Sequence, residues 1–372
     1  MSSVEERREN PAARQGAVPC DFCGHPYIRP CTAETEAACP NMIWKRGAGS
    51  QQSIRHHYIP IFYSKRWSGD DDKICEISRP FKDIRSKRVY PVQTGFLDRL
   101  YEKPGVAKSI AQQVEDKFMS PVDNFAAKAL DLIEADVEKI RNDAEQRSAW
   151  SLFLITLMTR MPEDLAALTL MLEDDWNRGL PQFREKYAAN RKPDDPETIE
   201  EFIEKRDPEH LGRWVMNVAP ELMYHEGIGQ ALSGMRWSVV ATSDKARPFL
   251  SSDRPLVMAK TFSEPDCYVT VPIGPHRLFV ATTTEETERA FNDRPIEELV
   301  DEVNAQVVKQ AVKYVYGIDD SELTFVDKLI STDKSPRLLS RLRDRRKQKY
   351  ASQEGERRSL RASASDQAKG TP

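Results

Sequence analysis

Apolar positions recur along this chain in two rhythms that alternate in blocks. From Ser109 onward, Ile110, Val114, Phe118, Val122, Phe125, Ala129, Leu132, Ile133, Val137 and Ile140 return every three or four residues, the period of helices with one face on a core. Pro121 interrupts the run and predicts a kink or break. A second apolar helix is predicted from about Ala144 to Met161, and Pro162 starts the next at its first turn, carrying Leu165, Leu168, Leu172 and Trp176. Lys192 to Pro208, rich in Pro, Asp and Glu, reads as a solvated insertion. Helix is expected again over about Glu209 to Met235 and over residues 295–316, ending at Gly317, with a last helix from about Asp327.

Between these blocks the period shortens to two. KICEIS and KRVYPV alternate apolar and polar residues, and Gly69 with Asp70, Asp71 and Asp72 supplies turn chemistry, so residues 56–101 predict a small β-hairpin region. RWSVVATS, RPFLSS, CYVTVPI and RLFVATT are β-branched or aromatic runs bounded by Pro, Gly and Asp, which predict a second antiparallel sheet. The pattern gives an α+β protein: a bundle of five to seven helices packed on a small antiparallel sheet, with an N-terminal Cys-rich metal module.

At 372 residues the chain can bury a core without disulfides or metals, and 39% hydrophobic residues exclude disorder throughout. The longest apolar stretch, Trp150 to Met158, is far short of the roughly 20 residues of a membrane span. The N-terminus MSSVEERREN carries acidic residues where an export signal would be positive and then apolar, so a cytoplasmic location is expected. The formal net charge of −4 is uneven: residues 336–372 carry eleven Lys and Arg against four Asp and Glu, a surplus of +7 that leaves −11 on the first 335 residues.

Residues 1–15 read as a disordered leader, and residues 16–45 as a Cys-rich module before the small, polar linker RGAGSQQ. Cys20, Cys23, Cys31 and Cys39 are spaced C-x2-C-x7-C-x7-C, with His25 as an alternative ligand. Four such ligands suit a tetrahedral structural zinc, the C-x2-C turn presenting two of them, while reduced or redox-active thiols and an iron–sulfur site stay open. Four Cys ligands would leave no position for substrate.

The segment HHYIPIFYSKRW, from His56 to Trp67, places adjacent histidines before aromatics and a proline. The pair could hold a metal or move protons, or its rings could hydrogen-bond within the fold. Together with LFLITLMTRMP, FLSSDRPLV, VPIGPHRLF and a late helix with Asn304 before KYVYG, it resembles the uncharacterised DUF 4238 family over roughly residues 54–318. The resemblance implies a fold unit and no assigned chemistry. It leaves out the cysteine cluster, an expected C-terminal helix over 319–345 and a basic, disordered tail over 346–372.

The polar residues that could carry chemistry are His56, His57, Glu115, Arg160 and Asp253. In one reading Arg160, at the end of an apolar helix, pairs with Asp253 as a structural ion pair. In the other, His57, Asp253 and Glu115 converge on a divalent metal that activates water, and Arg160 neutralises charge on a phosphodiester. Ser252 lacks the G-x-S-x-G elbow of a nucleophile. The basic tail could contact nucleic acid through phosphates or could be an ordinary solvated helix end. Two functions follow: a binding protein with a structural zinc module and nucleic-acid contact, or a metal-dependent phosphodiesterase-like or nuclease-like hydrolase.

Overall fold

The computed structural model describes residues 54–369, with side chains over 54–353, and two short strands nearer the N-terminus. Those strands, β1 (Val18–Pro19) and β2 (Pro26–Tyr27), pair antiparallel. Cys20, Cys23, His25, Cys31 and Cys39, the expected zinc module, lie outside the described residues, as does the leader 1–15.

The domain carries mixed helix and antiparallel sheet. In the hairpin region β3 (Arg55–His57) pairs with β6 (Phe96–Asp98), while β4 (Ile74–Ser78) and β5 (Arg85–Val89) are two strands of a four-stranded sheet ordered β5-β4-β12-β8. Its other strands are β8 (Ser251–Ser252) and β12 (Tyr314–Gly317). A second sheet runs β7-β11-β10-β9, built from β7 (Arg236–Ala241), β9 (Val257–Ala259), β10 (Tyr268–Gly274) and β11 (Arg277–Thr282).

The helices are α1 (Ile61–Ser64), α2 (Lys108–Ala111), α3 (Ser120–Ala135), α4 (Val137–Arg141), α5 (Ala144–Thr159), α6 (Pro162–Asn190), α7 (Ile199–Arg206), α8 (His210–Met223), α9 (Glu226–Gly234), α10 (Glu285–Asn292), α11 (Ile296–Gln310), α12 (Leu323–Leu329) and α13 (Leu338–Lys369). No helix among the described residues is long and apolar enough to cross a membrane.

Helix α5 explains the arrangement. It buries Trp150, Phe153, Leu154, Ile155 and Leu157 on several sides, as a helix at the centre of a bundle must. Trp150 and Trp237 meet the Phe279 ring edge-on at 5.6 and 5.2 Å, joining bundle and second sheet in one core. Strand β11 is covered on both faces: Phe279 and Ala281 enter that main core, Leu278 and Val280 enter another with Phe291, Leu299 and Val303 of α10 and α11. Burial on both faces is why RLFVAT reads as an unbroken apolar run.

Several expectations are corrected. The helix over 295–316 stops at Gln310, and Tyr314–Gly317 is a strand, because its aromatic and β-branched residues complete the ladder with β4. Of RPFLSS only Ser251–Ser252 is strand. The insertion 192–208 contains α7, capped by the Thr198 hydroxyl, which accepts from the Glu201 N–H. The expected helix over 319–345 is two helices, α12 and then α13, which starts at Leu338 and continues past 345 to Lys369. Pro121 does not break the run: it occupies the first turn of α3, which continues directly from a π-helical turn over Glu115–Met119.

Candidate functional site

The HHYIPIFYSKRW segment ties separate parts of the fold together. The Tyr63 hydroxyl donates to the Pro272 carbonyl at 2.7 Å, and the Trp67 indole donates to the Phe249 carbonyl at 2.9 Å. His56 is fully buried. Its Nδ1 accepts from the Tyr101 N–H at 2.8 Å, so Nε2 carries the proton and donates to Gln112 Oε1 at 2.6 Å. Gln112 donates in turn to Glu102. With the Tyr101 ring stacked on it, His56 has both nitrogens engaged inside the fold.

His57 faces the other way, where burial, with Arg160 and Arg55 nearby, pushes its imidazole down to about 4 and keeps it neutral. Arg160 is not paired with Asp253. Its guanidinium donates to both carboxylate oxygens of Asp123 of α3, at 2.8 and 3.0 Å, and to the His57 carbonyl at 2.9 Å. Asp123 lies one helical turn beyond the π-helical segment and reaches Arg160 at the C-terminus of α5; the sequence offered the carboxylate but no sign of this approach. Burial alone would lower the Arg160 guanidinium, and the Asp123 charge more than restores it.

Glu115 opens the π-helical turn beside this pair. Its Oε1 accepts from the Ser120 hydroxyl at 3.0 Å, while Oε2 is buried without a partner. Burial and the Asp123 charge push this carboxyl up to about 7.

Asp253 belongs to a second network. Its Oδ1 accepts from the Val312 N–H at 2.8 Å, and its Oδ2 from Lys313 and Tyr314 at 2.6 and 3.0 Å. The carboxylate thus closes the turn between α11 and β12. Burial raises it to about 6, against the pull of those three amides. Ser252 is buried beside it and its hydroxyl accepts from the Arg254 N–H at 3.0 Å.

Arg254 reaches Asp164 at the start of α6, Nη2 to Oδ1 at 3.1 Å, and leaves its own Nε and Asp164 Oδ2 buried without partners. Arg337 lies close enough for Arg254 to disfavour its charge, as burial does more strongly. Tyr58, buried, feels Asp253, Tyr314 and Glu163, and burial keeps its phenol protonated. Three of the segments that carry the family resemblance therefore meet here, through Tyr58, through Asp253 and Arg254, and through Tyr314, with Glu163 and Asp164 lying just past the end of a fourth.

The five sequence-predicted residues divide between these networks, His56, His57, Glu115 and Arg160 around one end of α5, and Asp253 just after β8 with its carboxylate on the turn into β12. No group of three His, Cys, Asp or Glu among the described residues could hold a metal ion.

The basic C-terminal helix has two faces. Arg343 donates to Asp174 of α6 at 2.6 Å, Arg346 to Asp175 at 2.6 Å, and Lys347 lies 3.3 Å from Asp174. Arg178 stacks over the Tyr350 ring, 3.4 Å from its centroid. Arg341, Arg345 and Lys349 are exposed and form no ion pair among the described residues.

Compared with known proteins, the chain matches the family model DUF4238, described as a protein of unknown function, over residues 55–321. No curated protein and no solved structure matches it.

Proposed function

The chain belongs to the DUF4238 family, and we propose that it is a binding protein whose C-terminal helix contacts the phosphate backbone of nucleic acid. Cys20, Cys23, Cys31 and Cys39 hold a structural zinc in this reading, with β1 and β2 pairing on either side of the C-x2-C. The observation that carries the reading is the stripe Arg341, Arg345 and Lys349, four residues apart on α13, exposed and without an ion pair among the described residues. Side chains four apart share one helix face, and at 1.5 Å per residue the stripe runs about 12 Å. The opposite residues Arg343, Arg346 and Lys347 anchor the helix on Asp174 and Asp175.

The hydrolase reading requires the histidines and Asp253 to present free lone pairs to one metal. His56 uses the lone pair of its Nδ1 on Tyr101, three backbone amides occupy most of the acceptor sites of Asp253, and no three His, Cys, Asp or Glu among the described residues are grouped to hold a metal, which favours binding over hydrolysis.

Three phosphate contacts predict that log K for duplex DNA falls against log salt with a slope of about −3. Fluorescence anisotropy of a labelled duplex across a potassium chloride series measures it. The triple variant Arg341→Gln, Arg345→Gln, Lys349→Gln is expected to remove most of that slope. Absence of binding at low salt, or a slope the triple variant leaves unchanged, contradicts the reading.

A further inference from the structure

Lys103 sits in the connection between β6 and α2, and that connection is fixed. Its N–H donates to the Ala111 carbonyl at 2.8 Å, Gly105 takes a φ of +67°, and Arg213 of α8 donates to the Pro104 carbonyl at 3.1 Å. Pro104 lies directly on Gly212 of α8, where a Cβ would stand 2.7 Å from the ring. The connection is thus a built wall facing α8 and the segment that leads into the π-helical turn.

An open groove of about 360 Å³ lies along this wall. Val114, Met216 and Pro220 give it an apolar floor, and the amides of Gln113 and Asn217 flank that floor. Lys103 and Glu221 complete the lining with opposite charges. Neither has an ion-pair or side-chain hydrogen-bond partner among the described residues. Burial and nearby Lys117 disfavour the charge on Lys103, so a carboxylate arriving there relieves it.

We propose that this groove binds a short apolar peptide with free ends, of dipeptide size, its carboxylate on Lys103 and its ammonium on Glu221. A simple anion would meet the Glu221 charge, and a simple cation would meet Lys103 and Lys117. A zwitterion satisfies both. The Gln113 and Asn217 amides each offer a donor and an acceptor, the complement of a peptide group, and the apolar floor takes a side chain. The volume stands at the small end of ligand sites.

The test is calorimetric titration of the full chain with glycyl-leucine, N-acetyl-glycyl-leucine amide and free leucine. Saturable binding of glycyl-leucine below about 10 mM is expected, with free leucine weaker and the blocked analogue silent. Lys103→Met and Glu221→Gln are each expected to weaken glycyl-leucine at least about tenfold, the loss of one charge-assisted bond. The thermal midpoint of each variant confirms that it folds as the parent does. No saturable binding by that concentration, equal binding of the blocked analogue, or parental affinity in both folded variants overturns the proposal. Free leucine binding as tightly as the dipeptide overturns its peptide part.

Discussion

Arg160 holds both carboxylate oxygens of Asp123 with its two terminal nitrogens, at 2.8 and 3.0 Å, and ties β3 to them through the His57 carbonyl. A guanidinium only 1% exposed can keep its charge because the carboxylate beside it is aligned for two parallel bonds. The pair joins α3, α5 and the HHYIP segment at one point, and it gives the buried Arg160 charge a structural partner.

Removing one member leaves the other charge buried and uncompensated. Arg160→Met is expected to destabilise the protein by about 3–5 kcal/mol in urea unfolding, and the double change with Asp123→Leu to recover much of that loss. A cost below about 1 kcal/mol for the single change contradicts a buried pair.

Asp253 is expected to behave as a structural cap. In Asp253→Asn an amide NH2 must face one of the Val312, Lys313 or Tyr314 N–H groups, since both oxygens of the acid are in use. Each unmet donor costs about 1–3 kcal/mol, so the midpoint of chemical denaturation falls while nucleic-acid affinity is unchanged. Parental stability in this variant argues against the cap.

Glu115 gives a pH dependence with a definite sign. Its carboxyl is raised from 4.5 to about 7 on folding, so the folded state binds the proton more tightly. The stabilisation is fully present below about pH 4.5 and is lost as pH rises through about 7. Glu115→Gln removes this dependence. Its unfolding free energy, compared with the parent's from pH 4.5 to 7.5, should fall less by roughly 1–3 kcal/mol; parallel curves refute the assignment.

Periodicity revealed the main helices and the strands of the second sheet, because α5 and β11 each bury long apolar runs. It misread KYVYG, where a strand follows a helix after only a short turn and the tertiary ladder to β4 decides the outcome. The site was less legible. Arg160 announced a buried cation, but its partner was 37 positions away on another helix. Asp253 looked like a metal ligand because an acceptor for backbone amides leaves no residue signature, the amides lying about 60 positions on. Lys103 and Glu221 belong to no motif, and only folding sets them around one groove.

Whether the polar residues are structural or catalytic is tested most directly by zinc content. Elemental analysis of the full chain, of Cys20→Ser with Cys23→Ser, and of Asp253→Ala is the decisive comparison. The account predicts about one zinc in the full chain, none in the cysteine variant and an unchanged amount in Asp253→Ala. Metal that survives the loss of both cysteines and disappears with Asp253 would contradict it and place the ion in the core.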